Sequence, residues 1–165
     1  MVRKLTTLLL ALLLVAPALS AQRQIRLTVA FYNLENLFDT IDGENNDADF
    51  LPDGSNQWTM EKYQQKLHNM AYAISQIGGQ RGPDIIGLAE IENRGVLEDL
   101  LRQPELRDAG YQIVHFDSPD KRGIDCALFY RSSVFQMTSA EPHPVILVGE
   151  EYIKTRDVLE VTGKL

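Results

Sequence analysis

The 165-residue sequence is 44% hydrophobic and 24% charged, a balance that excludes a disordered or fibrous chain and suits one globular domain. Its 16 basic against 23 acidic residues give a net charge of −7, which argues against non-specific affinity for nucleic acid or anionic lipid. A phosphate substrate stays open, because a bound divalent cation reverses the local field.

Arg3 and Lys4 precede an apolar run from Leu5 to Val15, then Pro17 and the small-residue tail Ala18-Leu19-Ser20-Ala21. This is the pattern of a secretory signal peptide over residues 1–21, with cleavage after Ser20 or Ala21. The run falls short of the about 20 apolar residues that span a bilayer. Export to the periplasm or extracellular space, without stable membrane insertion after cleavage, is therefore expected. Removing Arg3 and Lys4 leaves 14 basic and 23 acidic residues, a mature net charge of −9. The single cysteine, Cys126, has no disulfide partner and reads as a small apolar residue of a buried strand.

Ile25, Leu27, Val29 and Phe31 alternate with Arg26, Thr28, Ala30 and Tyr32, predicting a strand with the first set in the core. Glu35 to Trp58 is crowded with Asp, Asn and Gly and reads as a long solvated loop. Thr59 can cap a helix whose stripe is Tyr63, Leu67, Met70, Ile74 and Ile77, ended by Gly78-Gly79. His68 lies off that stripe, at the surface. Asp84 to Ala89 suits a strand buried on both faces, ending abruptly at Glu90 and Glu92. Asn93 opens a short helix through Val96, Leu97, Leu100 and Leu101. Strands follow at Tyr111–Phe116, Ile124–Tyr130 and Val134–Thr138, then a proline-interrupted edge around Pro142 and Pro144, and a last strand through Val158, Leu159 and Val161. The order predicts a mixed α/β arrangement with helices outside a sheet.

Asn33 and Glu35 follow the first strand and Glu90 follows the second buried one. Side chains two apart on a strand share a face, so Asn33 and Glu35 can enter one pocket, with Glu90 opposite if the strands are neighbours. Hard divalent cations take such carboxylate oxygens, although carboxylates at strand ends are also often simply solvated or cap a helix.

The blocks Phe31-Tyr32-Asn33-Leu34-Glu35-Asn36-Leu37-Phe38-Asp39 and Pro83-Asp84-Ile85-Ile86-Gly87-Leu88-Ala89-Glu90-Ile91-Glu92-Asn93 resemble the opening of the endonuclease/exonuclease/phosphatase, or deoxyribonuclease-like, superfamily. The likeness extends through Arg122 to Arg131 and to Thr155-Arg156-Asp157-Val158-Leu159. It implies a four-layer α/β sandwich of two mixed sheets flanked by helices, hydrolysing phosphate esters with a divalent metal, Mg2+ foremost with Ca2+ or Mn2+ as alternatives. It also implies Glu90 and Glu35 as metal ligands, Asn33 and Glu90 as catalytic residues, and Arg122 and Arg156 as phosphate contacts. A guanidinium offers phosphate a fixed fork of donors; salt bridges to Asp120 or Asp157 are the competing role. Glu92 is a weaker candidate. His115 and His143 match no catalytic histidine and read as surface residues.

The family's later asparagine-histidine strand, aspartate-x-asparagine pair and final aspartate-histidine do not occur in this sequence. Residues 22–165 are thus expected to be the amino-terminal portion of such a domain, truncated, inactive alone and exposing core faces. Nucleic acid, phospholipid head groups and inositol phosphates are the substrates the resemblance allows. The competing reading is a non-enzymatic secreted binding module in which Asn33, Glu35 and Glu90 are structural.

Overall fold

The computed structural model describes residues 26–146 and 154–165, so the signal-peptide reading and Ile25 lie outside the described residues. Strand β1 (Val29–Leu37) pairs in parallel with β2 (Ile85–Ile91), and helix α1 (Met60–Gln76) makes the crossover between them. Helix α2 (Arg94–Leu101) leads to β3 (Tyr111–His115), which pairs antiparallel with β4 (Asp125–Arg131); β4 in turn pairs antiparallel with β2. The mixed sheet therefore runs β1-β2-β4-β3. A second sheet is the antiparallel pair β5 (Gln136–His143) and β6 (Val158–Lys164).

The helices form where the sequence caps and stripes them. The Thr59 side chain accepts the Lys62 N–H, Tyr63, Leu67, Ala71 and Ile74 are buried, and the chain leaves α1 through Gly78 and Gly79, both left-handed. The Asn93 side chain likewise accepts the Val96 N–H, and Val96, Leu97 and Leu100 go inside. Both stripes pack on Leu34, Leu37, Ile86, Leu88, Ile91, Ala127 and Phe129 from one face of the mixed sheet. On the other face Val114, Tyr130 and Phe135 meet Ile85, Leu128, Ala140, Leu159 and Val161, joining the two sheets. The architecture is an α/β sandwich with helices outside. Among the described residues no helix is long and apolar enough to cross a membrane.

Four expectations need correction. Val29 and Phe31 are 62% and 70% exposed, while Ala30 and Tyr32 pack against the helix-side core. Both faces of β1 are apolar, so periodicity could not say which one the helices cover. On β2, Ile86, Leu88, Ala89 and Ile91 are buried but Ile85 and Gly87 only partly so. Gly87 lies opposite Phe31, whose ring would sit 3.0 Å from an added Cβ. The loop after β1 is folded rather than merely solvated: Phe38 stacks on Phe50 at 4.2 Å, Trp58 meets Phe50 edge-on, and Trp58 Nε1 donates to Phe38 O at 3.0 Å. Lastly, the separate strand and proline edge are one strand, β5, with Pro142 inside it at a sheet edge.

At the end of the sheet where β2 begins, Arg131 ties three segments together. Its guanidinium donates to Ala109 O, Gly82 O and Arg81 O, pairs with Asp84 at 3.3 Å, and lies over the Tyr111 ring. Asp84 also accepts the Thr28 N–H at 2.9 Å, fixing the approach to β1.

Leu67 is fully buried at the centre of the α1 stripe. Leu67→Ala is expected to lower stability by about 2–5 kcal/mol, read as the midpoint of urea unfolding; a shift within about 0.5 kcal/mol would show that α1 does not hold the core as described.

Candidate active site

The parallel ladder between β1 and β2 runs in step from Val29↔Ile85 to Asn33↔Ala89 and then resumes at Leu37↔Ile91. Over that interval β1 advances four residues and β2 only two. Glu35 (φ 52°) and Asn36 (φ 58°) on one side and Glu90 (φ 63°) on the other hold left-handed backbone. Such a conformation costs a non-glycine residue roughly 1–2 kcal/mol, and strain of this kind collects where a site is held in shape. Glu90 is also the extra residue of β2 against β4, where Ala89↔Cys126 is followed by Ile91↔Asp125.

The bulges bring together groups far apart in sequence. The Asn33 side-chain oxygen accepts the Glu35 N–H at 2.7 Å, setting the start of the turn. Asn36 N–H donates to Glu90 Oε2 at 3.2 Å. On its other side Glu90 Oε1 lies 3.7 Å from the Arg156 guanidinium, delivered from just before β6. Lys66 on α1 donates from Nζ to Glu35 O at 2.5 Å and Asn36 O at 3.1 Å. Burial draws the Lys66 pKa down, against the opposing pull of Glu35 and Glu90.

Glu92 forms the floor beside this turn. It is 7% exposed, and its carboxylate accepts Asp39 N–H at 2.7 Å and Asn45 Nδ2 at 3.2 Å. Burial pushes its carboxyl above the usual range; the bonds from Asp39 and Asn45 act in the opposite direction. Asn45 Oδ1 is buried without a partner. An Asn45 amide flip would aim that oxygen at a protonated Glu92.

Of the residues singled out in the sequence, Asn33, Glu35 and Glu90 lie at the break in the β1–β2 ladder, and Arg156 reaches Glu90. Arg122 does not join them through any bond among the described residues: it is exposed and bonded to Asp120 at 3.3 Å. His143 is half exposed and bonds Glu160, as a surface residue would. His115 is a correction, because its side chain is only 4% exposed and bonds Asp125 at 3.0 Å. Alternation with Tyr111 and Ile113 puts it on the helix-facing side of β3, a signal present in the sequence. Asp125 spends its other oxygen on the Ser118 N–H at 2.8 Å. His115, exposed Asp117 and Asp125 offer ligand atoms within 4.8 Å of one another, a candidate acidic and histidine metal site. Cys126 is half-buried on β4, with burial raising its thiol pKa.

Over residues 28–165 the sequence matches the Endonuclease/Exonuclease/phosphatase family. The chain belongs to that family. Members of the endonuclease/exonuclease/phosphatase family are hydrolases that act on phosphoesters. No curated protein is similar enough to count as a match. Among solved structures, the chain is similar to the crystal structure of ANGEL2, a 2',3'-cyclic phosphatase, at 16% identity and a TM-score of 0.41. That likeness covers 78% of this chain and 36% of the other, so this chain spans roughly a third of that protein's length. Divalent-metal dependence is general in the family. Glu35 and Glu90 carry carboxylate oxygens, the hard donors that Mg2+ takes, and both lie near Lys66 at the break in the β1–β2 ladder.

Glu92 gives the site a pH signature. A carboxyl raised above its ordinary value of 4.5 contributes stability that is fully present below that value and lost as pH rises through the folded pKa. Glu92→Gln removes this dependence. The melting temperature of the variant relative to the parent is therefore expected to be higher at pH 7 than at pH 4; an equal difference at both would refute the assignment.

Proposed function

We propose that the complete protein carrying this chain is an exported, metal-dependent phosphoester hydrolase, nuclease- or phosphodiesterase-like, and that this chain bears one side of its active site. The observation that supports the reading is the register break between β1 and β2, where Asn33, Glu35 and Glu90 lie and where Arg156 reaches Glu90.

In this reading Glu35 and Glu90 hold the divalent cation, Mg2+ before Mn2+ or Ca2+. When bound, it supplies Lewis-acid polarisation of the phosphoryl oxygen and neutralises charge that builds up in the displacement. Asn33 fixes the turn through the Glu35 N–H and, with Glu90, orients groups around the scissile phosphate. Arg156, already against Glu90, presents its fork of donors to phosphate oxygens. Arg122 is a further phosphate contact, which requires release from Asp120. The substrate is a phosphate ester of a nucleic acid, a phospholipid head group or an inositol phosphate. The negative charge of the mature chain disfavours tight, non-specific nucleic-acid binding.

Hydrolysis of bis(p-nitrophenyl) phosphate by the complete protein should require Mg2+ or Mn2+ and stop in EDTA. Glu90→Gln should lower kcat/KM by at least about 100-fold, because the ion supplies several kcal/mol of transition-state stabilisation. Undiminished turnover in EDTA would overturn the metal-dependent reading. Export predicts that the mature protein begins at Ala21 or Gln22, checked by amino-terminal sequencing of the secreted material; a retained Met1 would contradict it.

A further inference from the structure

We propose that Lys66 is a positioning residue of this site: its ammonium fixes the left-handed Glu35–Asn36 turn in the arrangement that presents Glu35 and keeps the Asn36 N–H on Glu90. The proposal deepens the hydrolase reading above and rests on it for the role of the carboxylates.

Two consecutive left-handed residues aim successive carbonyls toward the same side of the chain, and here both carbonyls meet Lys66 Nζ, at 2.5 Å from Glu35 and 3.1 Å from Asn36. An ammonium has three donors and no acceptor, so it can bridge two carbonyls where water or a neutral side chain holds them less firmly. Lys66 itself is half-buried, and the helix backbone that carries it is anchored by the fully buried Leu67. Its head is walled by the Trp58 ring, 5.5 Å from Nζ, and that indole is itself pinned to Phe38 O. The same turn supplies the Asn36 N–H that Glu90 accepts. The Asn36 carbonyl also accepts the Phe38 N–H at 3.1 Å, but Lys66 is the group bonded to both carbonyls and so the one whose loss loosens Glu35 and Asn36 together.

The charge of Lys66 makes the idea decidable. A cation near Glu35 and Glu90 repels a second cation, so a mere neighbouring charge, once removed, leaves a site that binds metal more tightly. A positioning group, once removed, leaves one that binds more weakly. The two roles predict opposite signs.

The experiment uses the complete protein as parent, Lys66→Met and Lys66→Arg, with far-UV circular dichroism to confirm folding. In metal-free protein, Lys66→Met should speed exchange of the Asn36 amide hydrogen by about tenfold or more while Lys66→Arg largely restores protection. Titration with Mn2+ should show binding weakened about tenfold in Lys66→Met, the size typical of lost support behind a ligand. Unchanged Asn36 exchange, or tighter Mn2+ binding in Lys66→Met, overturns the proposal. If the parent binds no Mn2+, the hydrolase reading fails by itself and Asn36 exchange still decides the role of Lys66. Should Lys66→Met not fold, Lys66→Gln, which keeps a neutral donor pair on a shorter stem, is read in the same two ways.

Discussion

Where β1 and β2 part company, the sheet exchanges regular hydrogen bonding for geometry. Four residues of β1 pass two of β2 between Asn33↔Ala89 and Leu37↔Ile91, and the excess is absorbed by left-handed backbone at Glu35, Asn36 and Glu90. A regular parallel pair alternates side chains across its faces, one residue at a time. Neither Glu35 nor Glu90 could then lean over the end of the sheet while Leu34, Leu37 and Ile91 stay in the core. The break lets adjacent residues serve the two purposes at once.

The strain is tolerable because the surroundings leave little freedom. Leu37 and Ile91, immediately beyond the break, are completely buried against the helices and re-establish the register. Glu92 catches the chain again through the Asp39 N–H, and Trp58 closes the loop onto Phe38. Carboxylates outnumber cations at this end of the molecule. Lys66 and Arg156 are the cations seen in contact with the turn and with Glu90, one on backbone carbonyls and the other on a carboxylate.

Much of this could be read in the sequence where local chemistry and global position agree. Thr59, the Tyr63-Leu67-Ile74 stripe and Gly78-Gly79 give α1 a start, a face and a stop, and Asn93 does the same for the start of α2. Glu90 at the end of an apolar run falls where the register of β2 breaks against both of its neighbours. The orientation of β1 was not legible, because Phe31 and Tyr32 are equally apolar and only the helix layer distinguishes them. The register break was hidden because its left-handed residues are Glu and Asn, which carry no glycine signal. Lys66 escaped notice since a lysine off an apolar stripe is ordinarily solvated, and its partners are backbone atoms 30 and 31 positions away. The burial of His115 was legible in its alternation with Tyr111 and Ile113 along β3.

The two ends of the mixed sheet are built for different tolerances. At one end Arg131 and Asp84 stitch the start of β2, the end of β4, the approach to β1 and the turn before β3 into one bonded knot. Any residue inserted between Gly82 and Asp84 would part Arg81 O and Gly82 O from Asp84, all of which Arg131 holds at once together with Ala109 O. At the other end Asn45 packs on Gly123 between the loops of residues 40–47 and 117–123, which are tied to the sheet at single points, Asn45 on Glu92 and Ser118 on Asp125. A residue added to either of these loops between its tie and the sheet leaves the β1–β2 ladder in place, whereas one added at the opposite end breaks the Arg131 bonds.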